Sequence, residues 1–217
     1  METIRVSNAV KSFKGQKVLN HLDISFSSGK IYGIVGYNGS GKTVLLKCIC
    51  GFLTLDEGEI TILEKKLKKD MDMIQDAGVI IEEPAFLKEY SGKKNLEFLY
   101  SVRNRPNPNL IAKILQTVGL DAKSTKKVKH YSLGMKQRLA IAQAIMEDPQ
   151  LLLLDEPMNG LDRKGVAEIR ELLLDLKEHD KTIVLVSHSQ EDIRVLCDEI
   201  YEIDGGKLVK PNSLPPK

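Results

Sequence analysis

Apolar residues along this chain follow two rhythms that take turns. One is the short run rich in β-branched residues, which predicts strands over residues 4–6, 18–26, 30–35, 59–63, 78–81, 151–154, 182–187 and 199–203. The other is the recurrence every three or four positions of an amphipathic helix. It predicts helices over 93–103 (Leu96, Leu99, Tyr100), over 110–118 (Leu110, Ile111, Ile114, Leu115, Val118), after Ser132 through Leu139, Ile141, Ala142 and Ile145, and over 163–179. Another helix starts at Thr43 and stops at Gly51, a natural C-terminal punctuator. NRPNPN at 104–109 and Asp148-Pro149 are breakers. Alternating strands and helices predict an α/β fold. Residues 91–147, almost wholly helical, read as an insertion into it. The expected organisation is one domain over 1–210 followed by a frayed tail, 211–217.

Composition narrows the picture without naming a chemistry. With 217 residues, 42% hydrophobic and 29% charged, this is an ordinary globular chain, not a disordered one. A chain of this size removes roughly 70% of its unfolded surface from water. A formal net charge of +2 implies nothing about nucleic acid, and no nucleic-acid partner is expected. Lysines cluster at 65–69 (KKLKK) and at 123–129. A solvated face is the plain reading of both runs, and a phospholipid-facing patch is the alternative. Cys48, Cys50 and Cys197 cannot all pair and make no CxxC, so they are expected to be reduced and packed. No apolar run approaches the roughly 20 residues of a spanning helix, and METIRVSNAV has no signal-peptide layout. The expected location is the cytoplasm, unless a partner holds the chain against a membrane.

Candidate chemistry begins at residues 36–43, GYNGSGKT: Gly36, Tyr37, Asn38, Gly39, Ser40, Gly41, Lys42 and Thr43. The spacing is that of a phosphate-binding P-loop. Glycines let backbone N–H groups turn inward around phosphate oxygens, where a Cβ would obstruct. Lys42 is expected to reach the β- and γ-phosphates and the Thr43 hydroxyl to ligate Mg²⁺, so ATP and Mg²⁺ are the implied ligands. The helix that follows directs its positive end at the anion. With glycine near 7% of residues, a chance match arises in about one chain in a hundred. A strand before the loop and a helix after it lower that figure.

A second element is LLLLDEP, residues 151–157. Four apolar residues suit a buried parallel strand, and ligands of open α/β sheets gather beyond such strand ends. Asp155 is expected to hold Mg²⁺ or a water in its shell, and Glu156 to orient and deprotonate the attacking water. Taken alone, a DEP turn is as readily a helix N-terminal signal; the P-loop in the same chain favours function. His188, in VLVSHS, ends the next strand. Its position suits a bond to the γ-phosphate and catalytic water, against the usual reading of a lone histidine as structural.

In the order GYNGSGKT, YSLGMKQR (131–138), LLLLDEP, NGLD (159–162) and VSHS, the chain resembles the nucleotide-binding domain of ABC transporters, from about residue 4 to 209. YSLGM stands where that family has its LSGGQ signature. The resemblance implies a P-loop NTPase core with a mainly parallel sheet, an N-terminal antiparallel β subdomain and a helical subdomain at about 91–147. It implies that Phe13 stacks on adenine and that Ser132 and Gly134 contact the γ-phosphate bound to an opposite subunit. Asp162 takes the place of the acid that links the two sites, and His188 that of the switch histidine.

Two departures stand out. Leu133 and Met135 replace signature residues, and Glu82, in GVIIEEP, replaces the usual glutamine of the Q-loop. A unit charge pair 4 Å apart at an effective dielectric near 20 is worth about 4 kcal/mol, so Glu82 is expected to ligate Mg²⁺ in the closed state. A shift of one residue implicates Glu83 instead. IEEP and YSLGMKQR together look like the bacitracin- and lantibiotic-type export or immunity ATPases. The implied partners are a second ATP-binding subunit, identical or not, and an integral-membrane permease docked near residues 82–90. A non-transport ABC ATPase working as a mechanical switch on another protein is the alternative.

Overall fold

The structure is a computed structural model that describes residues 2–82 and 85–209. Glu83 and the tail expected at 211–217 lie outside the described residues. β1 (Glu2–Phe13) and β2 (Gln16–Ser27) form a long hairpin closed by Lys14 and Gly15, at φ 50° and 82°. A two-residue turn with both φ positive matches the twist of paired strands. β1 runs well beyond the 4–6 expected. Its alternation is broken at Ser7 and Asn8, where the pairing with β2 shifts register between Val6 and Ala9. β1 also pairs with β4 (Glu57–Ile62), and β4 with β5 (Lys65–Lys66), giving an antiparallel sheet in the order β2-β1-β4-β5.

The second sheet has the order β10-β9-β3-β8-β7-β6, built from β3 (Ile31–Val35), β6 (Ala77–Ile80), β7 (Leu151–Asp155), β8 (Thr182–Val186), β9 (Glu199–Asp204) and β10 (Lys207–Val209). All its pairings are parallel except β10 on β9. The four leucines of β7 explain themselves here. Leu152 and Leu154 pack with Ile183 and Leu185 toward the helical side, while Leu151 and Leu153 pack with Val184 and Val186 toward the antiparallel sheet. A strand covered on both faces has no polar position to alternate with.

Six α-helices complete the described residues: α1 (Lys42–Cys50), α2 (Gly92–Tyr100), α3 (Pro108–Thr117), α4 (Leu133–Ile145), α5 (Arg163–Glu178) and α6 (Gln190–Leu196). α2 to α4 form the expected insertion. α1 ends where Gly51 turns left-handed at φ 81°. α6 was not expected, because seven residues hold too few turns for a periodic signal. Asn95, buried in α2, bonds Leu87 through both its Oδ1 and its Nδ2 and so ties the segment after Glu82 to the insertion. Cys48, Cys50 and Cys197 are buried and in no disulfide among the described residues, as expected. The basic runs spend charge locally, with Lys66 on Glu59 and both Lys127 and Lys129 on Glu89.

The sheet order decides where chemistry can gather. β8 lies between β3 and β7, and Val186 is opposite Ile34 on one side and Asp155 on the other. The three strands therefore end level. The segments that leave them, 36–41, 156–157 and 187–189, meet beyond their carboxyl ends.

Candidate functional site

α1 differs from the other helices at its start. α2 to α6 are each capped by a side chain, Ser91, Asn107, Ser132, Asp162 and Ser189 in turn, that accepts a backbone N–H. α1 begins from Gly41, which offers none. Its first N–H groups and the positive end of its dipole are left for an anion. The loop before it admits no larger residues at two places. At Gly36 (φ 145°) a Cβ would lie 2.2 Å from the Ile203 carbonyl oxygen, and at Gly41 (φ 109°) it would lie 2.7 Å from that of Val18.

Lys42 is buried, and its Nζ donates to the carbonyls of Gly36 at 2.7 Å and Tyr37 at 2.9 Å. An ammonium has three donors, so one remains for a ligand. Burial pulls the Lys42 pKa down, against the charges of Glu156 and Asp155. Behind the loop, Ser40 Oγ is buried without a hydrogen-bond partner.

Thr43 Oγ1 donates to Asp155 Oδ2 at 2.7 Å, joining the first turn of α1 to the end of β7. Glu156, next along, holds φ 49° while its N–H bonds Val186 O at 3.0 Å. A non-glycine residue held left-handed stores on the order of 1–3 kcal/mol and persists only where surroundings impose it. Its Oε1 is buried with no hydrogen-bond partner. His188 Nε2 stands 3.5 Å away, near enough for charge attraction but not aligned as a hydrogen bond. Burial pushes the Glu156 carboxyl up from its ordinary range, opposed first by His188.

Gly41, Lys42, Thr43, Asp155, Glu156 and His188 line a cleft of about 770 Å³, with Asn38, Gly39 and Glu82. Phe13, Gly36, Tyr37, Ser40, Ser132, Gly134 and Asp162 are not in its wall. Phe13 is 43% exposed at the tip of the β1–β2 hairpin, with Lys11 Nζ 5.7 Å from its ring centre. Ser132 and Asp162 act within the chain as helix caps, accepting from Met135 and Gly165. Gly134 lies so close to Gly160 that a Cβ would be 2.9 Å from that carbonyl oxygen, and the neighbouring Leu133 packs over Gly160. Glu82 does not join Asp155. Its carboxylate, 65% exposed, accepts from Lys47 Nζ.

One contributor was missed from sequence. Gln137 Nε2 donates to Pro157 O at 2.9 Å, fastening α4 to the turn that carries Glu156. It sits within YSLGMKQR, but nothing in that string says it reaches back to a strand end.

The oxygen donors fit a hard cation. Among the described residues, no group of three or more His, Cys, Asp or Glu is placed to hold a metal. The Thr43–Asp155 pair supplies two oxygens that suit an ion taking its other ligands from phosphate and water, as Mg²⁺ does.

A P-loop opening an uncapped helix at the edge of a parallel sheet defines a nucleotide-binding protein. The ABC transporter family model matches residues 19–159. The chain is 43% identical over 205 residues to YybJ, an ABC transporter ATP-binding protein of Bacillus subtilis, with 94% of each covered. It is 37% identical over 209 residues to the bacitracin transport ATP-binding protein BcrA of Bacillus licheniformis, covering 95% of this chain and 68% of that one. With the lantibiotic transport ATP-binding protein SrtF of Streptococcus pyogenes it shares 35% over 207 residues, covering 95% and 89%. It matches the dimeric structure of a bacterial ABC transporter cassette with a TM-score of 0.88 at 25% identity, covering 99% of this chain and 100% of that one. This chain belongs to the ABC transporter family, as an ATP-binding cassette.

Proposed function

We propose that this chain hydrolyses Mg-ATP as the motor subunit for a separate membrane permease, in export of or immunity to a peptide or antibiotic. The observation that carries the chemistry is the unbonded, buried Glu156 Oε1 beside His188, one residue from the Thr43–Asp155 pair. An acceptor left without a donor in a low-dielectric wall is suited to take a proton from water. A phosphate-release assay on purified protein with Mg-ATP tests the proposal, and absence of turnover in the presence of a permease partner would overturn it.

In this reading the α1 N-terminus and Lys42 bind the β- and γ-phosphates, and Thr43 and Asp155 hold Mg²⁺. Bound there, Mg²⁺ offsets phosphate charge. Glu156 orients and deprotonates water, and His188 bonds the γ-phosphate. Two chains pair head to tail, so that Ser132 and Gly134 of one cover the γ-phosphate held by the other, with Asp162 linking the sites. Loss of the γ-phosphate contacts opens the pair. Homology to BcrA and SrtF supports the transport reading and a peptide or antibiotic cargo. No described helix is long and apolar enough to cross a membrane, and a permease would hold the chain at the inner face. Co-purification of a multi-spanning partner from detergent-solubilised membranes tests that assembly; a soluble partner alone would favour a mechanical switch.

Two consequences are specific to side chains named above. Phe13→Ala should weaken ATP binding by about five- to 150-fold, from stacking worth ~1–3 kcal/mol per base, with kcat unchanged. Equal affinity would make Phe13 ordinary surface. If Glu82 leaves Lys47 for Mg²⁺ on closure, Lys47→Met should lower the Mg²⁺ needed to saturate nucleotide binding. The shift should reach at most about fivefold, since an exposed ion pair is worth up to ~1 kcal/mol. An unchanged Mg²⁺ titration would remove Glu82 from the metal site.

A further inference from the structure

His188 has no hydrogen bond of its own through the imidazole among the described residues, yet both of its neighbours are held tightly. Ser187 is buried, and its hydroxyl donates to Asp192 Oδ2 at 3.2 Å. The same Oγ accepts the Ser189 N–H at 3.1 Å. Ser189 Oγ in turn accepts the Asp192 N–H at 3.2 Å, capping α6. The segment 187–189 is thus closed on Asp192 from both ends, leaving the His188 side chain, 51% exposed, to project toward Glu156.

Asp192 is itself fixed from a different helix. Its Oδ1 accepts from Arg170 Nε at 2.8 Å and from Nη2 at 2.5 Å, and the Asp192 side chain is only 4% exposed. Arg170 Nη1 also pairs with Glu191 at 3.1 Å. Two guanidinium nitrogens on Oδ1, with Oδ2 taken by Ser187, hold the Asp192 carboxylate from both of its oxygens. A buried ion pair is weak evidence for stability, because apolar replacements of similar volume are often as stable or more so. What such a pair provides that an apolar contact does not is a single defined position for its hydrogen-bonded neighbours.

We propose that Arg170 and Asp192, acting through Ser187, are positioning residues that hold His188 in register over Glu156. The proposal rests on the reading of His188 as a group that contacts the γ-phosphate. Neither Arg170 nor Asp192 touches ATP. Their effect is therefore on the chemical step and not on nucleotide affinity.

The experiment compares Ser187→Ala, Asp192→Asn, His188→Ala and the two doubles that include His188→Ala, measuring kcat, KM, ATP affinity and melting temperature. Ser187→Ala and Asp192→Asn are expected to lower kcat by about tenfold to a hundredfold, the range for misplacing a catalytic group by about 1 Å. ATP affinity is expected to stay within about twofold, a loss confined to the transition state. On top of His188→Ala, neither change should lower kcat further. Losses that multiply in the doubles, or a lower melting temperature with kcat unchanged, would overturn the proposal. Should Asp192→Asn fail to fold, Ser187→Ala leaves the ion pair whole and carries the same test. If His188→Ala alone keeps wild-type turnover, the underlying reading of the histidine falls and takes the strut with it. That outcome is separate from one in which His188 matters and its neighbours do not.

Discussion

Glu156→Gln is expected to bind ATP, to turn it over at least about a hundredfold more slowly, as loss of a general base implies, and to melt at a higher temperature than the wild type. The first two follow from keeping the side chain's shape while removing its capacity to accept a proton. On the proposed head-to-tail pairing, a γ-phosphate that is not cleaved would keep bridging the two half-sites, so the variant should run as a dimer with ATP on size exclusion and as a monomer without it. The third follows from burial. Glu156 has its pKa raised chiefly by desolvation. A carboxyl whose folded pKa exceeds its unfolded one makes the native state bind the extra proton between the two values, so stability falls as pH rises through that window. Above that window the full penalty is present, and a neutral amide removes it. Each kcal/mol so relieved raises the melting temperature by about 2–4 °C for a chain of this size. Below the ordinary carboxylate range both states are protonated and the two proteins should melt alike. Turnover should also have its acid limb above that range, since the base works only when deprotonated. A variant with wild-type turnover would remove Glu156 from the chemistry. One that is inactive but less stable would mean its contacts outweigh the desolvation.

What could be read in advance divides along the distance that each signal spans. Gly36 to Thr43 is a contiguous string, and its chemistry follows from local spacing. LLLLDEP announces a two-sided buried strand with acids at its end, and β7 matches it residue for residue from Leu151 to Leu154. The same holds for Gly51 as a stop for α1. Other features depend on partners far along the chain. Lys47 meets Glu82 across 35 positions, Arg170 meets Asp192 across 22, and Gln137 meets Pro157 across 20. No periodicity encodes such pairings. β1 is longer than its apolar pattern predicts for a different reason: its hydrophobic alternation slips where its register with β2 slips. Ser132 and Asp162 show a further limit. Their residue types already satisfy a cap, so their identity alone does not separate a helix start from a contact with a second chain.

Lys42→Ala should weaken ATP binding by about thirtyfold or more, and so should shift the gain in thermal stability that Mg-ATP confers to correspondingly higher nucleotide concentrations. Truncating one partner of a buried, hydrogen-bonded charge pair costs ~2–5 kcal/mol, and the phosphates would be that partner. The ammonium also donates to the Gly36 and Tyr37 carbonyls inside the loop, so its loss frees the backbone that is meant to meet the phosphates. A ligand that binds only the native state stabilises it by RT ln(1 + [L]/Kd). Wild type and Glu156→Gln should therefore rise in melting temperature with Mg-ATP concentration, while Lys42→Ala should begin to rise only at concentrations about thirtyfold higher or more. That contrast separates gripping the triphosphate from cleaving it using one measurement on three proteins. A Lys42→Ala variant that shifts like the wild type would mean that the uncapped start of α1 suffices for the anion, and that the lysine serves the loop's own shape.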